Sequence, residues 1–367
     1  MTQLTKVINA RGTYTPLGVS RASANVCDAV SEALSDFFII DELQTMASQR
    51  IAGYTGGEAA TITHCSAASI TVCVAAAMAG TVPEHVGALP DTTGMADQVV
   101  IPEGHCVNYG QPILQAIRLA GAKPILAGSR HGCSLEDIEQ QIDPGKTCCL
   151  LLVSSKLVQA SPTDLGDAVA VARKFNIPTI IDGAAQDFRI GELLDTGADL
   201  ILISAQKYLA SPTAGIVLGK RAFVDAVRAQ EKGIGRGMKA SKEAIFGVLA
   251  AMEDRSRLDL VAWQQTEDDK VNAFIQRAGM ITGLSAHREV DPTGLPFSRA
   301  YLTIDKARAG CDTPALVDQL RSGTPSIWTI DDRAADGVIG FELVQCTNCE
   351  IEVILNSLSQ ILQGRNL

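Results

Sequence analysis

The sequence has little aromatic content: 4% of its 367 residues. Its core must therefore be built from Ala, Val, Ile and Leu. It is also short of positive charge, with 31 Lys and Arg against 41 Asp and Glu, a net charge of −10. A broad nucleic-acid footprint needs a basic face, so no nucleic-acid partner is expected. A local cationic pocket is still open to it. Long apolar runs are missing too. The longest weakly polar stretch, residues 67–80, is too short and too rich in Ser and Thr to span a bilayer, so no membrane role is expected. The opening MTQLTKVINARG has no charged segment followed by an apolar one, so no signal peptide is read. The expected location is cytoplasmic.

Cysteine, by contrast, is plentiful, with ten residues. Several, such as Cys73, Cys148 and Cys149, fall inside apolar stretches, which suits reduced, buried thiols. Cys346 and Cys349 form a lone CxxC with no further ligands at close spacing, so no metal is expected.

The rest of the chain is organised around residues 177–220. IPTIID is a short β-rich run that stops at Asp182. ADLILIS is a second, followed directly by Gln206 and Lys207, and AGIVLGK is a third. Buried strands ending in polar residues belong to an open α/β sheet, where ligands sit outside the carboxyl ends. One strand end delivers a carboxylate and the next an amine. Pyridoxal phosphate needs both: a lysine for its aldehyde and an acid facing its ring nitrogen. A lysine after a strand is usually a solvated loop residue, and an aspartate there often caps a helix, so this pair alone leaves both readings open.

Upstream, AATITHC reads as a strand and ITVCVAAAMAG as a buried helix, joined by the small-residue turn Cys65–Ser69. Free N–H groups and the helix dipole make such a turn an anion site, with Ser66 and Ser69 adding hydroxyls; a close-packed turn without ligand is the alternative. Residues 97–128 form a strand ending at His105, a helix from Gln111 to Ala120 and a second strand. A histidine there can stack on a flat ring or simply line a surface loop, and His64 and His131 lie in comparable places. The strand–helix alternation continues through Gly219 and predicts a mainly parallel sheet with helices on both faces. A basic, Gly-punctuated loop carries Arg236 and Lys239, which suit either a substrate anion or solvent. From about residue 255 strands and helices alternate differently, as in a smaller α+β domain. The expected division is 1–50 as an N-terminal arm and helices, 51–250 as a large cofactor domain, and 251–367 as the small C-terminal domain.

Six segments occur in family order: VINARGTYTPLGVS, IAGYTGGEAATITHCSAAS, GHCVNYGQPILQAIRLAGAKPI, IIDGAAQ, SAQKYLASPTAGIVLGK and GRGMKASKEAIFGVLAAME. Through them the chain resembles fold-type I, aspartate aminotransferase-like pyridoxal-phosphate enzymes. The branch is that of selenocysteine synthase (seryl-tRNA selenium transferase) and D-glucosaminate-6-phosphate ammonia lyase. The resemblance implies Lys207 as the Schiff-base lysine and Asp182 as the partner of the ring nitrogen. It implies Cys65, Ser66, Ala67 and Ser69 as the phosphate cup, with His105 against the ring. Within the matching segments, Ala184, Gln186, Ser204 and Gln206 join the cofactor's surroundings. Arg11, Tyr54, Tyr109, Thr213 and Arg236 join the substrate's. GRGMKASKE resembles the ammonia-lyase branch, and the basic extension of the transferases before the VIN-type motif is not matched here. HCSAAS and LASPTAG depart from the family's usual wording, so the known lyase's substrate is not carried over. Fold-type I enzymes build their sites at dimer interfaces, which implies a homodimer or larger assembly.

The reaction expected is removal of an amino acid's α-proton by Lys207, then loss of a β-substituent, giving ammonia and a 2-keto acid. Lysine is a poor base at neutral pH, so burial and a neighbouring positive ring must depress it. Reprotonation from the opposite face, with His105 or Tyr109 as second base, would instead give a racemase or epimerase. A selenium-transferase-like enzyme or a cofactor-binding protein without turnover are the remaining alternatives.

Overall fold

A computed structural model describes residues 4–159 and 164–363. The first three residues of the expected arm and the last four of the expected C-terminal domain lie outside it. The chain forms two units: one from Ala22 to Arg257, the other gathering residues up to Arg21 and from Leu258 onward.

The larger unit is built on seven strands: β1 (Ala59–Thr63), β2 (Gln98–Pro102), β3 (Lys123–Ala127), β4 (Thr147–Val153), β5 (Thr179–Asp182), β6 (Leu200–Ser204) and β7 (Gly215–Gly219). Their order across the sheet is β1-β7-β6-β5-β4-β2-β3. All neighbours run parallel except β7, which is antiparallel to both β1 and β6. Parallel strands need long crossovers, and the short loop 205–214 between β6 and β7 allows only a return.

Alternate side chains feed two apolar clusters. Leu150, Leu152, Ile181 and Ile203 enter one, while Leu151, Val153, Ile180 and Leu202 enter the other. Both faces are thus covered, which is why these strands read as continuous apolar runs. The helix Ser66–Ala79 is buried along most of its length, as its Ala-rich composition predicts.

Two boundaries differ from expectation. β2 stops at Pro102, which has no N–H for the ladder, and Glu103–His105 winds into a 3-10 turn. The next helix starts at Ile113, because Pro112 holds Gln111 out of helical geometry.

The smaller unit has a three-stranded antiparallel sheet, Leu284–Val290 and Val338–Phe341 flanking Ser298–Ile304. The helices Leu260–Ala278, Thr313–Ser322 and Asn348–Gln363 complete it, and Phe274 meets Phe341 in its core at 5.0 Å between ring centroids. The N-terminal arm contributes a strand: Val7–Asn9 pairs in parallel with Ser326–Trp328. Among the described residues, no helix is long and apolar enough to cross a membrane.

Candidate active site

β5 and β6 are parallel neighbours, and Asp182 closes the first as its last residue. Lys207 sits in the tight turn after the second, its N–H donating to Ser204 O at 3.3 Å and its C=O accepting from Ala210 at 3.1 Å. The Asp182 carboxylate is buried and takes the Ala184 N–H on Oδ1 at 3.0 Å. Burial raises its pKa, while Lys207 and the Ala184 N–H pull it back. Burial likewise lowers the Lys207 amine, against the charges of Asp182 and Asp187 and with the help of Lys156. The pair therefore holds a partly desolvated amine beside a carboxylate, at the carboxyl end of the sheet where ligands of such folds lie.

The turn after β1 runs into the helix Ser66–Ala79, whose N-cap Cys65 offers no side-chain hydrogen bond. Cys65, Ser66 and Ala67 are half-buried. Ser69 is fully buried, and its hydroxyl is engaged by Thr63 Oγ1 at 2.7 Å and Cys65 O at 3.1 Å. It closes the turn from inside. β7 presses on the same place: a Cβ at Gly215 would lie 2.3 Å from Ser69 Oγ and 2.7 Å from Thr63 Oγ1. Ser204, at the end of β6, is buried, and its hydroxyl has no hydrogen-bond partner among the described residues. An unpartnered buried hydroxyl, a helix N-terminus open to an anion and a lysine–aspartate pair are what a phosphorylated, protonatable ring aldehyde takes up. The residues fit pyridoxal phosphate.

His105 is buried and receives the Val153 N–H on Nδ1 at 2.9 Å. Burial pulls its pKa down to about 4, so the ring is neutral. Tyr109 follows in the same loop, half-buried, its hydroxyl accepting from Gln111 at 3.5 Å. Burial raises its phenol, with Asp182 and Cys65 adding to the effect against Gln111.

Gln186 is buried with its side-chain oxygen on Arg189 at 3.2 Å, and Gln206 is half-buried beside Lys207. Tyr54 and Thr213 are exposed, as is Arg236. The loop of Arg236 is tied to the turn after β1, where His64 N–H donates to Met238 O at 2.8 Å. Arg11 belongs to the other unit. There its guanidinium pairs with Asp331 and, at 2.9 Å, Asp332, and donates to Thr329 O at 3.0 Å.

Sequence reading missed Asp187 and Arg255. Asp187 is buried and contacts Arg255 at 2.8 Å. Only its nearness to Asp182 in the chain hinted at a role, and nothing in the local sequence of Arg255 did.

The sequence pattern of the L-seryl-tRNA selenium transferase family matches residues 7–260. The chain is 32% identical to D-glucosaminate-6-phosphate ammonia lyase of Salmonella typhimurium over 363 residues, 98% of this chain and 96% of that one. A solved structure of D-glucosaminate-6-phosphate ammonia-lyase superposes with a TM-score of 0.90 at 32% identity, covering 100% of both chains. The chain is also 31% identical over 328 residues to a Streptomyces 5'-C-glycyluridine monooxygenase-decarboxylase, covering 89% of this chain and 82% of that one. Serine palmitoyltransferase of Sphingomonas wittichii shares the fold at 12% identity, with a TM-score of 0.62 over 98% of this chain and 88% of that one.

Proposed function

The chain belongs to the L-seryl-tRNA selenium transferase family, and from that membership we propose a pyridoxal-phosphate-dependent lyase that releases ammonia from an amino acid. The supporting observation is Asp182 and Lys207 at the ends of neighbouring parallel strands, beside the unpartnered Ser204 hydroxyl. The near full-length likeness to an ammonia lyase favours elimination over racemisation.

When bound, pyridoxal phosphate supplies an electron sink for the pair left by α-proton removal. Lys207 would hold the aldehyde before substrate arrives and, once freed, would take the α-proton on Nζ. Burial lowers its pKa, which favours the neutral amine that the task needs. Asp182, oriented by the Ala184 N–H, would face the ring nitrogen. The N–H groups at Cys65–Ala67 and the Ser204 hydroxyl would hold the phosphate. His105 would cover the ring, with its Nε2 proton as a donor. A β-hydroxyl would leave as water, taking up from Lys207 Nζ the proton removed from the α-carbon, and the released enamine would be hydrolysed by water to the 2-keto acid and ammonia. Tyr54, Tyr109, Thr213 and Arg236 face the substrate, with Arg236 matched to an anionic group on it.

The active form is a homodimer. Leu34, Phe37, Phe38, Ile39 and Ile40 are exposed side by side, Phe37 completely at 102%, and a contiguous apolar ridge of this kind marks an interface. All ten cysteines are free, in keeping with work in the reducing cytoplasm.

The test is a panel of β-hydroxy amino acids, phosphorylated and not, given to the cofactor-loaded protein with and without dioxygen. Equal yields of ammonia and 2-keto acid, independent of oxygen, are expected. Loss of optical rotation without keto acid, or product only in air, would overturn the reading.

A further inference from the structure

Asp187 lies in the 3-10 turn Asp187–Arg189, just beyond the Asp182 strand end. Its carboxylate is wholly buried, at 0% side-chain exposure. A buried carboxylate is tolerated only with a close partner. That partner is Arg255, near the end of the helix Lys242–Ser256, with Nη1 at 2.8 Å from Asp187 Oδ2.

The same guanidinium does two other things. It lies over the Phe188 ring at 3.7 Å from Cζ to centroid, and its Nη2 donates to Tyr208 O at 2.9 Å. Phe188 follows Asp187, and Tyr208 follows Lys207. Their rings also approach each other, at 6.3 Å between centroids. One planar cation thus joins the Asp187 turn to the Lys207 turn through a carboxylate, a ring face and a carbonyl. Lysine, a point charge without a flat fork, would not meet all three.

We propose that Arg255 is a positioning residue for Lys207: it fixes the turn that carries the lysine and shields its amine from the charge of Asp187. The inference rests on reading Lys207 as the cofactor lysine. The charged groups acting on that amine are Asp182, Asp187 and Lys156. Asp182 and Asp187 both favour the protonated amine, which can neither attack an aldehyde nor accept an α-proton. Arg255 offsets the second of them, so the lysine answers mainly to Asp182. The arginine itself touches no reacting atom.

The test uses the full-length chain freed of cofactor and follows the rate of covalent uptake of pyridoxal phosphate against pH. Borohydride reduction and peptide mass locate the modified lysine. Arg255→Gln should move the midpoint of the profile to higher pH and slow uptake roughly tenfold at neutral pH. Asp187→Asn should move it to lower pH. The double variant, a neutral pair of similar size, should return close to the parent midpoint. Arg255→Lys should keep the midpoint but not the full rate. Uptake at Lys207 with midpoints unmoved in the single variants, or a shift that the double variant does not reverse, overturns the inference alone. Uptake at another lysine in the unaltered chain overturns the lysine assignment and the inference with it.

Discussion

The backbone N–H of Val153 donates to Nδ1 of His105 across 2.9 Å, so the proton of the neutral imidazole sits on Nε2. With one nitrogen occupied and the other protonated, the ring is a donor and a flat surface, not a base. The hydrogen bond comes from the last residue of β4, which makes the orientation of His105 a property of the sheet.

That neutrality has a consequence in acid. The folded pKa of about 4 lies below the ordinary 6.5, so the unfolded chain binds the extra proton first. The contribution of His105 is complete above pH 6.5 and is lost as pH falls towards about 4. Its size is about 3 kcal/mol. Urea midpoints measured across that window should fall less steeply for His105→Gln than for the parent. Parallel acid limbs in the two proteins would show that the imidazole is not held neutral.

Asp182→Asn separates holding from chemistry. The amide preserves shape and still accepts from the Ala184 N–H but cannot carry the charge that faces a protonated ring nitrogen. Pyridoxal phosphate should still join Lys207, seen by mass after reduction. Ammonia release should fall by about a hundredfold or more. A rate within twofold of the parent would remove Asp182 from its assigned role. Lys207→Ala is the complementary case, and neither covalent uptake nor ammonia release should survive it.

Much of this was legible in the chain itself. IPTIID and ADLILIS read as strands because both of their faces are buried, and they bring Asp182 and Lys207 to the same carboxyl end of the sheet. What escaped depended on distant partners. Arg255 looks like one more charge near a helix end until Phe188, Asp187 and Tyr208 are brought to it. Leu284–Val290 went unread because LSAHREV is largely exposed and lacks apolar alternation. The antiparallel course of β7 follows from the length of a loop, which side-chain pattern does not record.

Phe37 offers a test of assembly. A fully exposed phenylalanine beside Phe38, Ile39 and Leu34 is tolerable on a monomer only at a risk of aggregation. Phe37→Asp puts a charge in the middle of that ridge and removes nothing from either core. Sedimentation should show the parent as a dimer and the variant shifted towards monomer, with an unchanged urea midpoint for the isolated subunit. A parent that sediments as a monomer would refute the homodimer, and a variant that stays fully dimeric would move the interface elsewhere.

On the proposed reading Ser204 and Gly215 should respond in opposite ways, because one would supply a group to the ligand and the other supplies space. Among the described residues the buried Ser204 hydroxyl has no hydrogen-bond partner, an arrangement that costs stability unless a ligand supplies one. Ser204→Ala should therefore leave the cofactor-free protein as stable as the parent, or more stable by about 1 kcal/mol. Its affinity for pyridoxal phosphate should drop about tenfold, the value of one hydrogen bond to a charged group. Gly215→Ala should harm both properties. Its new Cβ would meet Ser69 Oγ at 2.3 Å and Cys65 C at 2.8 Å, so the phosphate turn must shift and the core with it, at about 1–3 kcal/mol. Urea unfolding of the cofactor-free variants, paired with cofactor titrations, distinguishes the two. If Ser204→Ala destabilised the cofactor-free protein while binding pyridoxal phosphate normally, its hydroxyl would belong to the fold, and the phosphate would have to be held by the helix N-terminus without it.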